Sequence, residues 1–186
     1  MSDAASLTDL LQDAQQGDHA ALRSVFDVMY QELRGIARQR LAQSARNTFL
    51  DTTALVHESY LRLVNSQRLP VTSRRHFMRY TGHVMRSVIV DFVRESLAQR
   101  RGGDAPHITL DSQLIDGAQP GENEILRVND ALEILAQRDP RLVQVVEMRY
   151  FAGMTEAEIA DALDITDRTV RRDWEKARVL LAEALR

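Results

Sequence analysis

Between Asp139 and Arg186 the chain carries a closely spaced run of helix starts and stops that reads as a helix-turn-helix unit, the alternative being a plain helical hairpin with a solvated charged face. Asp139-Pro140 reads as a helix start, because a carboxylate can cap free amides and proline needs no N–H in the first turn. This helix is expected to end near Gly153. Thr155-Glu156-Ala157-Glu158 has the form of a capping box, with Thr155 reaching the Glu158 amide and Glu158 reaching back, so a short second helix runs to about Leu163. Asp164-Ile165-Thr166 makes the turn, and Asp164 stands where a left-handed residue is needed. Thr166 caps a third helix, in which Val170, Trp174, Ala177 and Leu181 recur at intervals of three and four and read as core. Its other face is basic, with Arg168, Arg171, Arg172, Lys176 and Arg178. A short helix, a tight turn and an arginine-rich second helix are what entry into a DNA major groove requires.

The net charge of the whole chain, −3, is unlike that of a freestanding DNA-binding domain, which is usually basic. It is partitioned, however. Residues 68–101 hold eight arginines against Asp91 and Glu95, a local balance of +6, whereas residues 102–126 hold five acids and no lysine or arginine. A basic module therefore adjoins an acidic connector, which can compete for the basic surface and weaken promoter binding by the free protein.

Upstream, the pattern is helical throughout. Ser6-Leu7-Thr8-Asp9 resembles a capping box, Gly17 stops the first helix, and Asp18 caps a second whose stripe of Leu22, Val25, Phe26, Met29, Leu33 and Ile36 continues to about Leu41. A third helix is expected over 54–64 and a fourth over 74–100, the latter with a core stripe of Phe77, Thr81, Val84, Val88 and Phe92. The connector opens at Gly102-Gly103 and lacks helical periodicity to about Gly121, after which Ile125, Val128, Leu132 and Leu135 begin a second bundle. The expected fold is all-α: two helical modules, at 5–101 and 122–186, joined by a flexible acidic linker at 102–121.

The absence of cysteine excludes disulfides and thiolate metal sites. Nothing at the N-terminus resembles a signal peptide, no apolar run approaches membrane-spanning length, and a cytoplasmic protein is expected. His57-Glu58 lacks the second histidine of a zinc-protease helix, and His76 and His83 stand seven apart. Neither a phosphate-binding glycine loop nor a nucleophile-base arrangement is present, so the expectation is a protein that is not an enzyme and takes neither metal nor cofactor.

Two segments carry a family resemblance. Leu55-Val56-His57-Glu58-Ser59-Tyr60-Leu61-Arg62-Leu63 is similar to the helix with which σ2 modules dock on the RNA polymerase clamp. Tyr150-Phe151-Ala152-Gly153-Met154-Thr155-Glu156-Ala157-Glu158-Ile159-Ala160 is similar to the entry of σ4 modules into their helix-turn-helix. On these residues the chain resembles a bacterial extracytoplasmic-function (ECF) sigma factor of the sigma-70 superfamily over almost its whole length. The resemblance implies core RNA polymerase as partner, through the clamp of its beta-prime subunit and its beta flap, and promoter DNA as ligand. It places Asp51, Leu55, His57, Glu58 and Arg62 at the polymerase. Arg75, Arg79 and Arg86 fall on the minus-ten element, with His76, Phe77 and Tyr80 beside them, although Phe77 also lies on the core stripe. Arg168, Thr169, Arg171, Arg172 and Lys176 fall on the minus-thirty-five element.

One departure has regulatory implications. Many ECF sigma factors carry several acids just before the docking helix, but the matching stretch here is Asp51-Thr52-Thr53-Ala54. A phosphate on Thr52 or Thr53 would restore about −1.5 to −2 charges at a helix start that favours anions. This resembles an ECF subclass controlled by Ser/Thr kinases; the alternative is that either threonine simply caps the helix. At the level of the whole protein, the competing reading is a stand-alone helix-turn-helix regulator that binds duplex DNA without polymerase.

Overall fold

A computed structural model describes residues 6–43, 51–65, 73–102 and 122–186, and every regular element among them is helical. The acidic connector at 103–121 lies outside the described residues. Helix α1 spans Leu7–Gln15, α2 His19–Gln43, α3 Thr52–Asn65 and α4 Arg74–Gly102. The second set comprises α5 Glu122–Arg138, α6 Pro140–Val146, a π-helical turn at Glu147–Phe151, α7 Glu156–Leu163 and α8 Asp167–Ala184.

Local chemistry accounts for most of these boundaries. Ser6 and Asp9 form the expected capping box of α1, and Gly17, at φ +97°, takes the left-handed conformation that releases the chain into α2. Asp18 then caps α2 by accepting from the Ala20 and Ala21 amides at 2.7 and 3.2 Å. Asp139 departs from expectation. Its carboxylate makes no cap hydrogen bond and instead pairs with Lys176 at 3.0 Å, while its carbonyl accepts from the Leu142 amide. Proline at the first position removes one amide that a cap would have served.

Helices α1 to α4 bury one side of each around Leu11, Leu33, Leu55, Leu63 and Phe77, and Phe26 stacks obliquely on Tyr60 with ring centroids 4.6 Å apart. Helices α5, α6 and α8 close a second core around Leu132, Leu142, Val146 and Ala177. The two bundles are not separate bodies. Val145, Met148, Ala152, Met154 and Ile159 join the first core, so the π turn and α7 pack directly on α4. Burying a side chain such as Ile159 or Met148 is worth roughly 1.5 to 3 kcal/mol as an upper estimate, which makes this a substantial contact.

Helix α4 is accordingly covered on two faces. The stripe of Phe77, Thr81, Val84 and Val88 is buried as expected, but so are Met78, Met85, Val90 and Val93. Gly82 explains how the second face approaches so closely. A Cβ placed there would lie 2.9 Å from the Glu147 carbonyl oxygen and 3.1 Å from the Ala152 Cβ. A glycine inside a helix costs about 0.5 to 1 kcal/mol relative to alanine, and the direct passage of the π-turn backbone is what it allows here. The π turn itself comes from the Ala152 amide bonding back to Glu147, 3.0 Å away, rather than four residues back.

Candidate nucleic-acid and partner interfaces

The helix-turn-helix is built as its sequence chemistry dictates. Thr155 Oγ1 accepts from the Glu158 amide at 3.3 Å, and the Glu158 carboxylate accepts from the Thr155 amide at 2.9 Å. The bond from the Thr155 amide, and after it those from the Thr155 hydroxyl and Arg74, hold the Glu158 carboxyl below its ordinary range. Asp164 adopts φ 53°, ψ 49°, the left-handed turn residue between α7 and α8. Thr166 then caps α8, accepting from the Thr169 amide at 3.3 Å.

Helix α8 buries Val170, Asp173 and Ala177, with Trp174 partly buried beside them, and turns Arg168, Arg171, Arg172 and Lys176 to solvent. Arg172, at 71% side-chain exposure, is slightly more open than Arg171 at 66%. Arg171 is fixed by a relay: the Arg149 guanidinium lies 4.7 Å from the Trp174 ring centroid, donates to Glu156 at 2.9 Å, and Glu156 accepts from Arg171 at 2.7 Å. The Arg149 hydrogen bond is the largest influence lowering the Glu156 carboxyl, with Arg171 adding to it. Thr169 is half-buried, its hydroxyl 3.0 Å from that of Thr166, so its side chain serves the cap as well as the surface.

Asp173 was not anticipated. It is 1% exposed and accepts from Arg141 of α6 at 2.7 Å, a bond that raises the Arg141 guanidinium above its ordinary value. An acid falling on the apolar stripe between Val170 and Ala177 is the sequence signal that points to it.

At the start of α3 the cap is Asp51, whose Oδ1 accepts from the Ala54 amide at 2.7 Å. Thr52 and Thr53 therefore occupy the first two helical positions, Thr52 half-buried and Thr53 exposed. The alternative that one of them is the cap is overturned. His57 and Glu58 are exposed one turn on. Leu55, expected at the polymerase, is 0% exposed and belongs to the core, because it lies on the face of α3 turned to α2 and α4. Arg62 spans inward, donating to Ser87 Oγ at 2.6 Å and pairing with Asp91 at 2.9 Å across to α4.

The arginines of α4 divide. Arg79 is half-buried. Arg75 is exposed but pairs with Asp161 of α7. Arg86, expected on DNA, is 5% exposed and is corrected to an interior position: it donates to Glu147 at 2.8 Å and to Asn129 at 2.9 Å, and pairs with Glu133. A guanidinium so placed needs these partners because an unpaired buried charge is costly. His83 adds a fourth side chain, with Nδ1 3.0 Å from the same Glu147 carboxylate. That hydrogen bond raises the imidazole above its ordinary value, against the opposing effect of burial. Arg74 bridges Glu32 of α2 and Glu158 of α7, which raises its guanidinium in turn.

Among the described residues there is no group of three or more histidine, cysteine or acidic side chains arranged to hold a metal ion. Nor is any described helix long and apolar enough to cross a membrane. Compared with known families, residues 4–186 match the model for the ECF sigma factor. No curated protein matches the chain.

Proposed function

Because the chain belongs to the ECF sigma factor family, whose members direct RNA polymerase to promoters and start transcription, we propose that α3, α4 and α8 divide that work. Helix α8 reads the minus-thirty-five element as duplex. The observation that carries this is the solvent-facing set Arg168, Arg171, Arg172 and Lys176, placed at and beyond a capped turn and backed by the buried Val170 and Ala177. A well-placed arginine reads guanine through two hydrogen bonds and contributes about 1 to 3 kcal/mol of discrimination. Arg75 and Arg79 on α4 meet the minus-ten element, and Asp51, His57 and Glu58 on α3 face the polymerase clamp. The C-terminal module meets the beta flap.

Phosphorylation of Thr52 or Thr53 strengthens clamp docking. Support comes from Asp51 serving as the cap, which leaves the threonines a role other than capping, and from the exposure of Thr53 in the first turn, where free amides and the helix dipole favour an anion. One charge-assisted contact contributes roughly 1.5 to 3 kcal/mol, about tenfold or more in affinity. A Ser/Thr protein kinase is the partner this requires.

The test is core-polymerase affinity for the unmodified, phosphorylated and Thr52→Ala/Thr53→Ala proteins, with duplex binding of Arg171→Ala and Arg172→Ala measured alongside. A phosphate-dependent gain of tenfold or more supports the switch, and equal affinity in all three removes it. Duplex binding unchanged by both arginine variants removes α8 as the reading helix.

A further inference from the structure

Arg171 and Arg172 of α8 are both exposed, but they are held in different ways. Arg171 donates through Nε to Glu156 Oε2 at 2.7 Å, and Arg149 donates through Nη1 to the other oxygen, Oε1, at 2.9 Å. Each carboxylate oxygen thus serves one guanidinium, and Glu156 is fixed from both sides. Arg149 is itself set against Trp174, one turn beyond Arg171, so the run of contacts begins and ends on α8 and passes through the π turn and α7. Arg172 is held more loosely. The acid it pairs with is Asp173, at 3.6 Å and beyond hydrogen-bond length, and that carboxylate is engaged by Arg141 at 2.7 Å.

An ion pair as exposed as Glu156 with Arg171 adds little to stability, and a carboxylate beside a DNA-reading surface opposes the approach of phosphates. Its effect is on geometry. An unsupported arginine can offer a guanine either the edge carrying Nε or the edge formed by Nη1 and Nη2, and each can donate two hydrogen bonds. With Nε committed to Glu156, the Nη1–Nη2 edge is the one left for a base. We infer that Glu156 is a positioning residue that makes Arg171 the base-reading arginine of α8, presenting its two terminal nitrogens to a guanine in the minus-thirty-five element, and that Arg172 grips phosphate without reading sequence. The inference rests on α8 reading duplex DNA, as proposed above.

Ordering a rotamer-rich side chain on binding weakens a complex about two- to tenfold. Where Glu156 and Arg149 have already ordered Arg171, that loss is avoided, and the gain appears as sequence preference. A guanine meets both donors of the fixed edge, whereas a wrong base leaves them unpaired.

The test uses the full-length chain at low salt and a duplex pool with a randomised central segment, which is bound, recovered and sequenced. Preference at each position is a ratio between sequences bound by one preparation, so a variant that folds less completely still reports it. The native chain is compared with Glu156→Ala, Arg149→Met, Arg171→Ala, Arg172→Ala and Glu156→Ala/Arg171→Ala, and affinity for one unrelated duplex is followed across a salt series. Arg171→Ala should abolish a preference for guanine at one base pair. Glu156→Ala and Arg149→Met should weaken that same preference about two- to tenfold, leave other positions as they were, and not lower affinity for the unrelated duplex. Beside Arg171→Ala, Glu156→Ala should add nothing, since it acts through Arg171. Arg172→Ala should weaken all sequences alike and make the slope of log affinity against log salt shallower by about 0.9.

Preference unchanged in Glu156→Ala and Arg149→Met, but lost at one base pair in Arg171→Ala, overturns the positioning role and leaves duplex reading by α8 standing. A Glu156→Ala effect that persists without Arg171 means that Glu156 touches the base itself, which overturns the role as well. A single-base preference lost in Arg172→Ala instead reverses the two arginines and overturns their assignment. Preference unchanged in both arginine variants removes α8 as the reading helix, and the inference falls with it.

Discussion

The junction between the bundles makes a quantitative prediction through Arg86. Replacing it by leucine removes the 2.8 Å donor to Glu147, whose side chain is 9% exposed, and leaves that carboxylate with His83 as its remaining partner. Removing one member of a buried ion pair costs about 3 to 5 kcal/mol, because the other charge stays behind in a poorly solvated place. His83 is 61% exposed on its side chain and can hold a proton against Glu147, which favours the lower end, about 3 kcal/mol. Replacing both members, Arg86→Leu/Glu147→Leu, removes the stranded charge and should recover most of the loss, to within about 1 kcal/mol of native. Urea unfolding followed by Trp174 fluorescence and by far-UV dichroism measures this. With a slope of about 3 kcal/mol per molar for a chain of this size, the single variant should unfold about 1 M earlier. The two signals should also coincide, since one core spans both bundles. A single variant within 0.5 kcal/mol of native (on the order of experimental error), or a double variant as unstable as the single, would refute the reasoning.

Two further outcomes test the local chemistry. Thr155→Ala removes the hydroxyl half of the capping box and should cost about 1 kcal/mol, seen as a melting temperature lower by about 3 °C. His83, with an ordinary value of 6.5 raised by Glu147, contributes stability that is full below its unfolded value and lost as pH rises through the folded one. The groups facing it are Glu147 on the π turn, Glu133 on α5 and Arg86 on α4 itself. The stability advantage of the native chain over His83→Gln should therefore shrink between about pH 6 and pH 8, and an advantage that grows over that range would contradict the assignment.

The parts of this fold that were legible in the sequence are those governed by contacts three or four residues apart. Ser6 with Asp9, Asp18 with Ala20 and Ala21, Thr155 with Glu158, and Thr166 with Thr169 each announce a helix start, and Asp164 announces the turn. Asp139 shows the limit of that logic, because a distant lysine claimed its carboxylate. The long-range contact was harder to read. Met78, Gly82 and Met85 lie on α4 at spacings of four and three, the pattern of a second buried face, but a single core stripe through Phe77 and Val88 explains a helix at a bundle edge equally well. Arg86 misled for the same reason. A basic residue is normally taken as exposed, and what buried it stands 43 to 61 residues away in sequence. On α8 the apolar stripe through Val170 and Ala177 follows from its own periodicity, whereas the burial of Asp173 depends on Arg141 of α6.

Promoter recognition is read out most directly as start-site selection. Core RNA polymerase is given chromosomal DNA of the organism that encodes the chain, with and without the purified protein in unmodified and phosphorylated forms, and RNA 5′ ends are mapped. A discrete set of start sites should appear only with the protein, share sequence elements at minus ten and minus thirty-five, and be lost with Arg171→Ala/Arg172→Ala. Duplex binding by the protein with no new start sites in either form would contradict it.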